Sequence, residues 1–239
     1  MKTILNYGGG VNSTALVIEI VNRKMPLDYV IFADTGSEMP ETYEYIEVMK
    51  DWFKKKNIQF VIVKNKYNQK LYDYYFDKKT IPYRLFRDCT DKFKKQPILK
   101  FIKEFKKEGV NQYIGIAIDE ARRMRKSDTK WIEFVYPLCD WGVNREGCIE
   151  IIRKEGLPIP IKSGCYLCPF QPQKSWVSLL KNHKDLFKKA RLMEEQNLSY
   201  PKNTLTWQHN LAMLERSIKE QTKLAIDGQG YVCQGWCMT

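Results

Sequence analysis

The chain has 239 residues, 44% of them hydrophobic, with 40 Lys and Arg against 28 Asp and Glu for a net charge of +12. That is enough apolar material for a full core, while no stretch reaches the roughly 20 apolar residues that span a bilayer. A membrane-embedded protein is excluded, the start lacks the apolar core of a signal peptide, and a cytoplasmic enzyme is expected. In a reducing compartment the seven cysteines read as metal ligands or catalytic thiols, not as a disulfide framework.

Thr3–Tyr7 reads as an apolar strand that runs into Gly8-Gly9-Gly10-Val11-Asn12, after which the hydroxyl pair Ser13-Thr14 opens a helix from Ser13 to Lys24. Consecutive glycines admit an anion close to the backbone, a helix start attracts negative charge, and Ser13 and Thr14 add hydroxyl donors. A second strand, Leu27–Ala33, ends in Asp34-Thr35-Gly36-Ser37 before a helix from Glu41 to Lys56. Two parallel strands joined by a helix form a βαβ unit, whose ligands sit beyond the carboxyl ends of the strands. The glycine run is neither a Walker A loop nor a dinucleotide fingerprint, because no Gly-Lys-Ser/Thr and no Gly-x-Gly-x-x-Gly is present there.

Further along, Phe60–Val63 and Gln112–Ile118 read as strands, each after a crossover helix, the second being Pro97–Lys107. The expected fold is a doubly wound, mostly parallel α/β sheet, Rossmann-like, over residues 1–126, with a Cys-rich, helical C-terminal region over 127–239 packed on it. Asp119, Glu120, Arg122 and Arg123 then fall at a strand's carboxyl end. A carboxylate there suits Mg²⁺ and an arginine suits phosphate or sulfate; a charged helix start is the bland alternative. Past Lys126 prolines punctuate the chain, and from Ser175 onward the apolar spacing becomes helical.

The loop at Gly8–Ser13 resembles that of the PP-loop adenine nucleotide alpha hydrolases, Ser-Gly-Gly-x-Asp-Ser, with Gly8 for the first serine and Asn12 for the aspartate. Phe32-Ala-Asp34-Thr35-Gly36, Pro40-Glu41-Thr42-Tyr43, Arg87-Asp-Cys89-Thr90, Lys94, Pro97-Ile98, Asp119-Glu120, Arg122 and Cys165-Tyr-Leu-Cys168-Pro169 look most like the branch named for phosphoadenosine phosphosulfate (PAPS) reductase. The resemblance runs over roughly residues 1 to 176. It implies an adenine nucleotide, ATP or APS/PAPS, bound by Gly8, Gly9, Gly10, Ser13, Thr14, Asp34, Thr35, Gly36, Gly115, Asp119 and Glu120. Asn12, Ser13, Asp34 and Arg122 are the candidates for chemistry at the α-phosphate or an attached sulfur.

Cys165-x-x-Cys168 followed by Pro169 places two thiolates within reach of one metal. The resemblance suggests Cys89 and Cys148 as the remaining ligands, with Cys139 in reserve. Four thiolates accept either a [4Fe–4S] cluster, the favoured reading, or Zn²⁺. Cys233 and Cys237 near the end are candidate nucleophiles, although neither precedes the Gly-apolar-His tail of sulfonucleotide reductases. His183 and His209 read as surface or structural residues.

The positive charge, with basic runs at Lys54–Lys56, Lys92–Lys107 and Arg122–Lys126 beside Trp52, Phe93, Phe101 and Trp131, suits RNA or another nucleic acid. A lysine-rich thermophile surface, or attraction of a sulfated nucleotide, accounts for the same charge. Three functions remain: an ATP-using enzyme that adenylylates a substrate, releases pyrophosphate and transfers sulfur to a nucleic acid or base; an APS/PAPS reductase releasing sulfite; or a zinc-stabilised nucleotide-binding module without turnover. The expected partners are the nucleotide, a nucleic acid, a sulfur donor and a second copy of the chain in a homodimer, with no membrane.

Overall fold

The computed structural model describes residues 1–198, 204–206 and 210–226. They divide into two compact units, one of residues 1–72 and 88–165, the other of residues 73–87 and from 166 on.

In the first unit, short β-branched and aromatic runs form five strands: β1 (Lys2–Tyr7), β2 (Tyr29–Ala33), β3 (Phe60–Val63), β4 (Val110–Ile114) and β5 (Ile132–Val135). All pair in parallel in the order β3-β2-β1-β4-β5. Leu5 in β1 lies opposite Val30 on one side and Tyr113 on the other. The chain winds outward from β1 to β3, then returns to the other side of β1 with β4, so the winding direction reverses between β1 and β4. Ligand crevices of open α/β sheets lie at such a reversal.

Both faces of the sheet are covered, as parallel sheets require. On one side Leu5, Tyr7, Val30, Phe32 and Tyr113 join the core with helices α1 (Val11–Asn22), α2 (Pro40–Lys55) and, further along the chain, Arg145–Lys154. Helix α1 is buried nearly all round, and Ala15, Leu16, Val17, Ile18 and Ile20 have no exposed surface. A helix apolar on every side belongs between two layers. Helix α2 has proline at its first position, which suits a helix start, and buries Thr42, Tyr45, Ile46, Met49, Trp52 and Phe53 at helical spacing. On the other side Ile4, Ile31, Val110 and Ile132 pack with α3 (Gln96–Ile102). The helix Arg145–Lys154 is α4 hereafter.

Several expectations shift. The strand expected at 112–118 occupies Val110–Ile114, and Ile118–Arg123 forms a 3-10 turn instead. The helix expected to reach Lys107 ends as α3 at Ile102, followed by a 3-10 turn over Lys103–Phe105. Strand β5 escaped the sequence reading because Glu133 interrupts its short apolar run, unlike the unbroken Phe60–Val63 of β3. Since β5 pairs with β4 and α4 packs on α1, the first unit extends past the expected boundary at residue 126. The aromatics picked out for nucleic-acid stacking belong to the core: Trp52 is 6% and Phe93 1% exposed, and Phe101 and Trp131 pack on the α3 side of the sheet.

The second unit is helical, with α5 (Gln173–Asn182), α6 (Lys184–Glu195) and α7 (Leu211–Ile226). Trp176, Leu179, Phe187, Ala190, Met193, Leu211 and Leu214 are among its buried apolar residues. Buried Glu194 accepts hydrogen bonds from the N–H groups of Leu205 at 2.7 Å and Leu211 at 2.5 Å, so a carboxylate caps the start of α7. Burial raises its pKa despite these donors. Among the described residues no helix is long and apolar enough to cross a membrane.

Candidate nucleotide site

Strand β1 delivers the chain to Gly8, and three glycines turn it into α1. Gly9 has φ +68°, in the left-handed region that disfavours side chains. A Cβ on Gly10 would stand 2.7 Å from the hydroxyl of Ser163, and one on Gly115 would stand 2.9 Å from the Cα and N of Ser13. Glycine is therefore required at position 115 by the close approach of the end of β4 to the start of α1. Ser13 closes the loop: its hydroxyl donates to the Gly10 carbonyl at 3.1 Å and accepts from the Gly8 N–H at 3.3 Å. Thr14 has no exposed surface, and its hydroxyl bonds that of Tyr7 at 3.0 Å. This corrects its reading as a phosphate donor, because the second residue of the hydroxyl pair faces the core.

Asn12 explains the departure from the family's aspartate. Its Nδ2 donates to Glu120 Oε2 at 2.9 Å, and its Oδ1 accepts from Arg145 Nη1 at 3.2 Å. An amide offers a carboxylate a donor and a guanidinium an acceptor at once; an aspartate here would oppose Glu120 with like charge. Glu120 also pairs with Arg123, whereas Asp119 and Arg122 are exposed on the same 3-10 turn. Arg145 opens α4 and lies 133 positions from Asn12. Sequence reading missed it because it looked like any charged helix start.

The motif after β2 is built inward. Asp34 Oδ1 accepts from the Gly36 N–H and from the Tyr43 hydroxyl, both at 2.8 Å. Burial, with Asp34 beside it, raises the Tyr43 phenol pKa. Gly36 has φ +66°, and a Cβ on it would meet the Lys70 side chain at 2.7 Å. Thr35 is 1% exposed; its hydroxyl donates to Glu38 Oε1 at 3.0 Å and accepts from the Ser37 N–H. Thr35 thus shapes the turn, which corrects its assignment as a nucleotide contact. Glu38 has a 2% exposed side chain and pairs with Lys94 at 3.1 Å. Its backbone bridges to Cys165, and Met39 N–H donates to the Gly164 carbonyl at 2.8 Å. This pairing holds the segment 163–165 along the motif and brings Ser163 to Gly10, a meeting that no local spacing signals.

The cysteines do not act as one set. Cys148 has no exposed surface and lies in the core, where burial pushes its thiol up to about 12. Its place on the packed side of α4 makes Cys148 a core residue, unlike the other three candidate ligands. The reserve candidate, Cys139, donates its thiol to the Ile116 carbonyl at 3.2 Å and is also raised by burial. Cys89, Cys165 and Cys168 are partly exposed. Among the described residues no three His, Cys, Asp or Glu side chains gather as a metal site, so the candidate thiols are not assembled around one point. Cys233, Cys237 and His209 lie outside the described residues.

Comparison with known proteins agrees with this geometry. The chain is 26% identical over 196 residues to the uncharacterized protein MJ0973 of Methanocaldococcus jannaschii, a match covering 77% of this chain and 45% of that protein. The chain thus spans less than half the length of that relative. The U34-tRNA thiolase NcsA of Methanococcus maripaludis, solved with its [4Fe–4S] cluster, superposes with a TM-score of 0.53 at 16% identity, covering 89% of this chain and 82% of its own. The PAPS reductase of Candida auris, solved as a phosphate complex, gives a TM-score of 0.51 at 15% identity, covering 67% and 75%. At such identities these structures share the fold. The phosphoadenosine phosphosulfate reductase domain model matches residues 2–159, two thirds of the sequence, and the chain belongs to that family.

Proposed function

We propose that this protein is an ATP-using enzyme that adenylylates an acceptor, releases pyrophosphate and replaces the activated oxygen with sulfur on a nucleic acid or a nucleotide base. The observation that carries this reading is the glycine loop Gly8–Gly10 at the start of α1, with the Glu120 carboxylate and the Arg145 guanidinium both held to the adjoining Asn12. Glycine backbone and a helix start hold phosphates. Mg²⁺ takes one or two carboxylates together with phosphate oxygens, so this edge suits magnesium-bound triphosphate.

The acceptor's carbonyl oxygen attacks the α-phosphorus, and the bond to the β-phosphate oxygen breaks to release pyrophosphate. A sulfur nucleophile then attacks the carbon that bears the AMP, and AMP leaves with the oxygen. Ser13 holds the loop closed, Asn12 keeps Glu120 and Arg145 apart by one amide, and Arg145 supplies charge to the departing phosphates. Because Cys148 lies in the core and the candidate thiols are not gathered together, no step is assigned to a four-thiol cluster. The Cys165-x-x-Cys168 spacing still favours metal, and the thiolase likeness favours iron–sulfur over zinc.

A sulfonucleotide reductase is the second reading, favoured by the family match itself. Its weakness is the sequence around Cys233 and Cys237, which lacks the reductase tail. Calorimetric titration with ATP and Mg²⁺, and separately with APS and PAPS, divides the two. Preference for ATP, with pyrophosphate release on turnover, supports adenylylation. Preference for a sulfonucleotide, with sulfite release, overturns it.

A further inference from the structure

The aromatic residues that sequence reading offered for nucleic-acid stacking are in the core, yet the helical unit exposes a different set. Within residues 78–87, Leu85 is 77% and Phe86 63% exposed; in the following part of the unit Phe170 is 47% exposed. Two guanidinium groups lie against the Phe170 ring, Arg84 at 5.4 Å and Arg87 at 4.9 Å from its centroid. Tyr83 packs on Phe86 with ring centroids 5.5 Å apart. The segment is anchored from behind: Arg84 Nε donates to the Pro169 carbonyl, the Leu198 N–H donates to the Lys79 carbonyl at 3.0 Å, and Ile81 is 2% exposed. The rings and cations are therefore presented by a supported turn.

A large exposed apolar surface marks an interaction site, and its charge selects the partner. Residues 78–87 carry Lys78, Lys79, Arg84 and Arg87 with no acid, and residues 166–174 add Lys174, again with no acid. Exposed rings and guanidinium planes stack unpaired bases, and the cations meet the adjoining phosphates. A base-paired helix cannot offer its base faces to such a surface, whereas RNA loops and ends can.

We infer that Phe86, Phe170, Arg84 and Arg87 form a stacking platform for single-stranded RNA. This deepens the proposed function by naming the acceptor class, and it rests on that reading only for its purpose, since binding is measured without turnover.

The test is fluorescence anisotropy with a labelled single-stranded oligoribonucleotide of about 12 nucleotides, within the usual range of single-strand site sizes. The wild-type chain is expected to bind it more tightly than the same sequence closed into a duplex. Phe86→Ala is expected to weaken binding about tenfold or more, the usual effect of losing one stacked base. Arg87→Gln is expected to lower the salt dependence by about one phosphate contact. Circular dichroism and ATP titration of both variants report folding and the nucleotide site, and neither should change. Equal affinity for duplex, tighter binding of the corresponding DNA strand, or unchanged RNA affinity in the Phe86→Ala, Arg87→Gln double variant would overturn the inference. So would self-association of the wild type that Phe86→Ala abolishes, which would make a second copy the occupant. Loss of RNA binding with ATP binding intact would separate this surface from the adenylylation chemistry; ATP binding absent from the wild type would sink the functional reading alone.

Discussion

Two motifs stand on the same sheet edge, after β1 and after β2, and they use their polar groups in opposite ways. The Asp34–Glu38 turn directs Asp34, Thr35 and Glu38 toward neighbours in the protein. The Gly8–Ser13 loop offers glycine backbone without side chains and holds Asn12 to two charged partners. The lesson is that equally recognisable motifs can divide labour, one as a frame and the other as the ligand surface.

The strongest way to break that division is Gly10→Asp. A Cβ there already meets Ser163 at 2.7 Å, and a carboxylate adds like charge worth several kcal/mol against phosphate. Nucleotide affinity should fall about a hundredfold or more by calorimetry, and unchanged affinity would remove the loop from the site.

Arg145→Ala tests the charged side of the loop. Losing a hydrogen-bonding cation costs about 1.5–3 kcal/mol, so ATP should bind roughly ten- to a hundredfold more weakly, while AMP, lacking the β- and γ-phosphates, should bind as before. Equal losses for both nucleotides would mean that Arg145 only props Asn12.

Asp34 tests the frame. Asp34→Ala leaves the Gly36 N–H and the Tyr43 hydroxyl without their acceptor and should cost about 1–3 kcal/mol of stability in denaturant melts. Asp34→Asn keeps an acceptor oxygen and should retain most of the stability and the affinity for magnesium-bound ATP. Collapse of that affinity in Asp34→Asn would move Asp34 from frame to ligand surface.

The smallest effect concerns Cys148. The folded thiol is pushed up to about 12 from an ordinary value of 9.0, so the unfolded chain releases this proton first. Its contribution is intact below pH 9 and is lost as pH rises toward 12, by up to about 1.4 kcal/mol per unit. Cys148→Ala should flatten that alkaline loss in thermal melts and leave bound metal unchanged, whereas Cys165→Ser should lower bound metal. Loss of metal in Cys148→Ala would restore Cys148 as a ligand.

Much of the first unit was readable along the chain. Glycine runs, β-branched strands and helical spacing are local signals, and they placed β1, α1, β2, α2 and β3 close to where they lie. The same logic placed Asp119 and Glu120 beyond a strand end, whereas Gly115, inside the expected strand, lies just past the observed one. It failed for Thr14, because a helix turns adjacent residues about 100° apart and sends one hydroxyl of the pair inward. It failed for Cys148 for the same reason, since one face of α4 packs on α1. It failed for the stacking aromatics because composition counts rings without saying which are covered.

By itself, then, the sequence determined a parallel α/β fold with a glycine loop at its carboxyl edge, because strand period, helix period and glycine geometry act over a few residues. Only the tertiary structure decided that Arg145 and Glu120 meet across Asn12, that Ser163 lies against Gly10, that Cys148 belongs to the core, and that Phe86 and Phe170 face outward. Those outcomes depend on side chains far apart in sequence and on which face of each element is buried, and both are settled only when the layers pack.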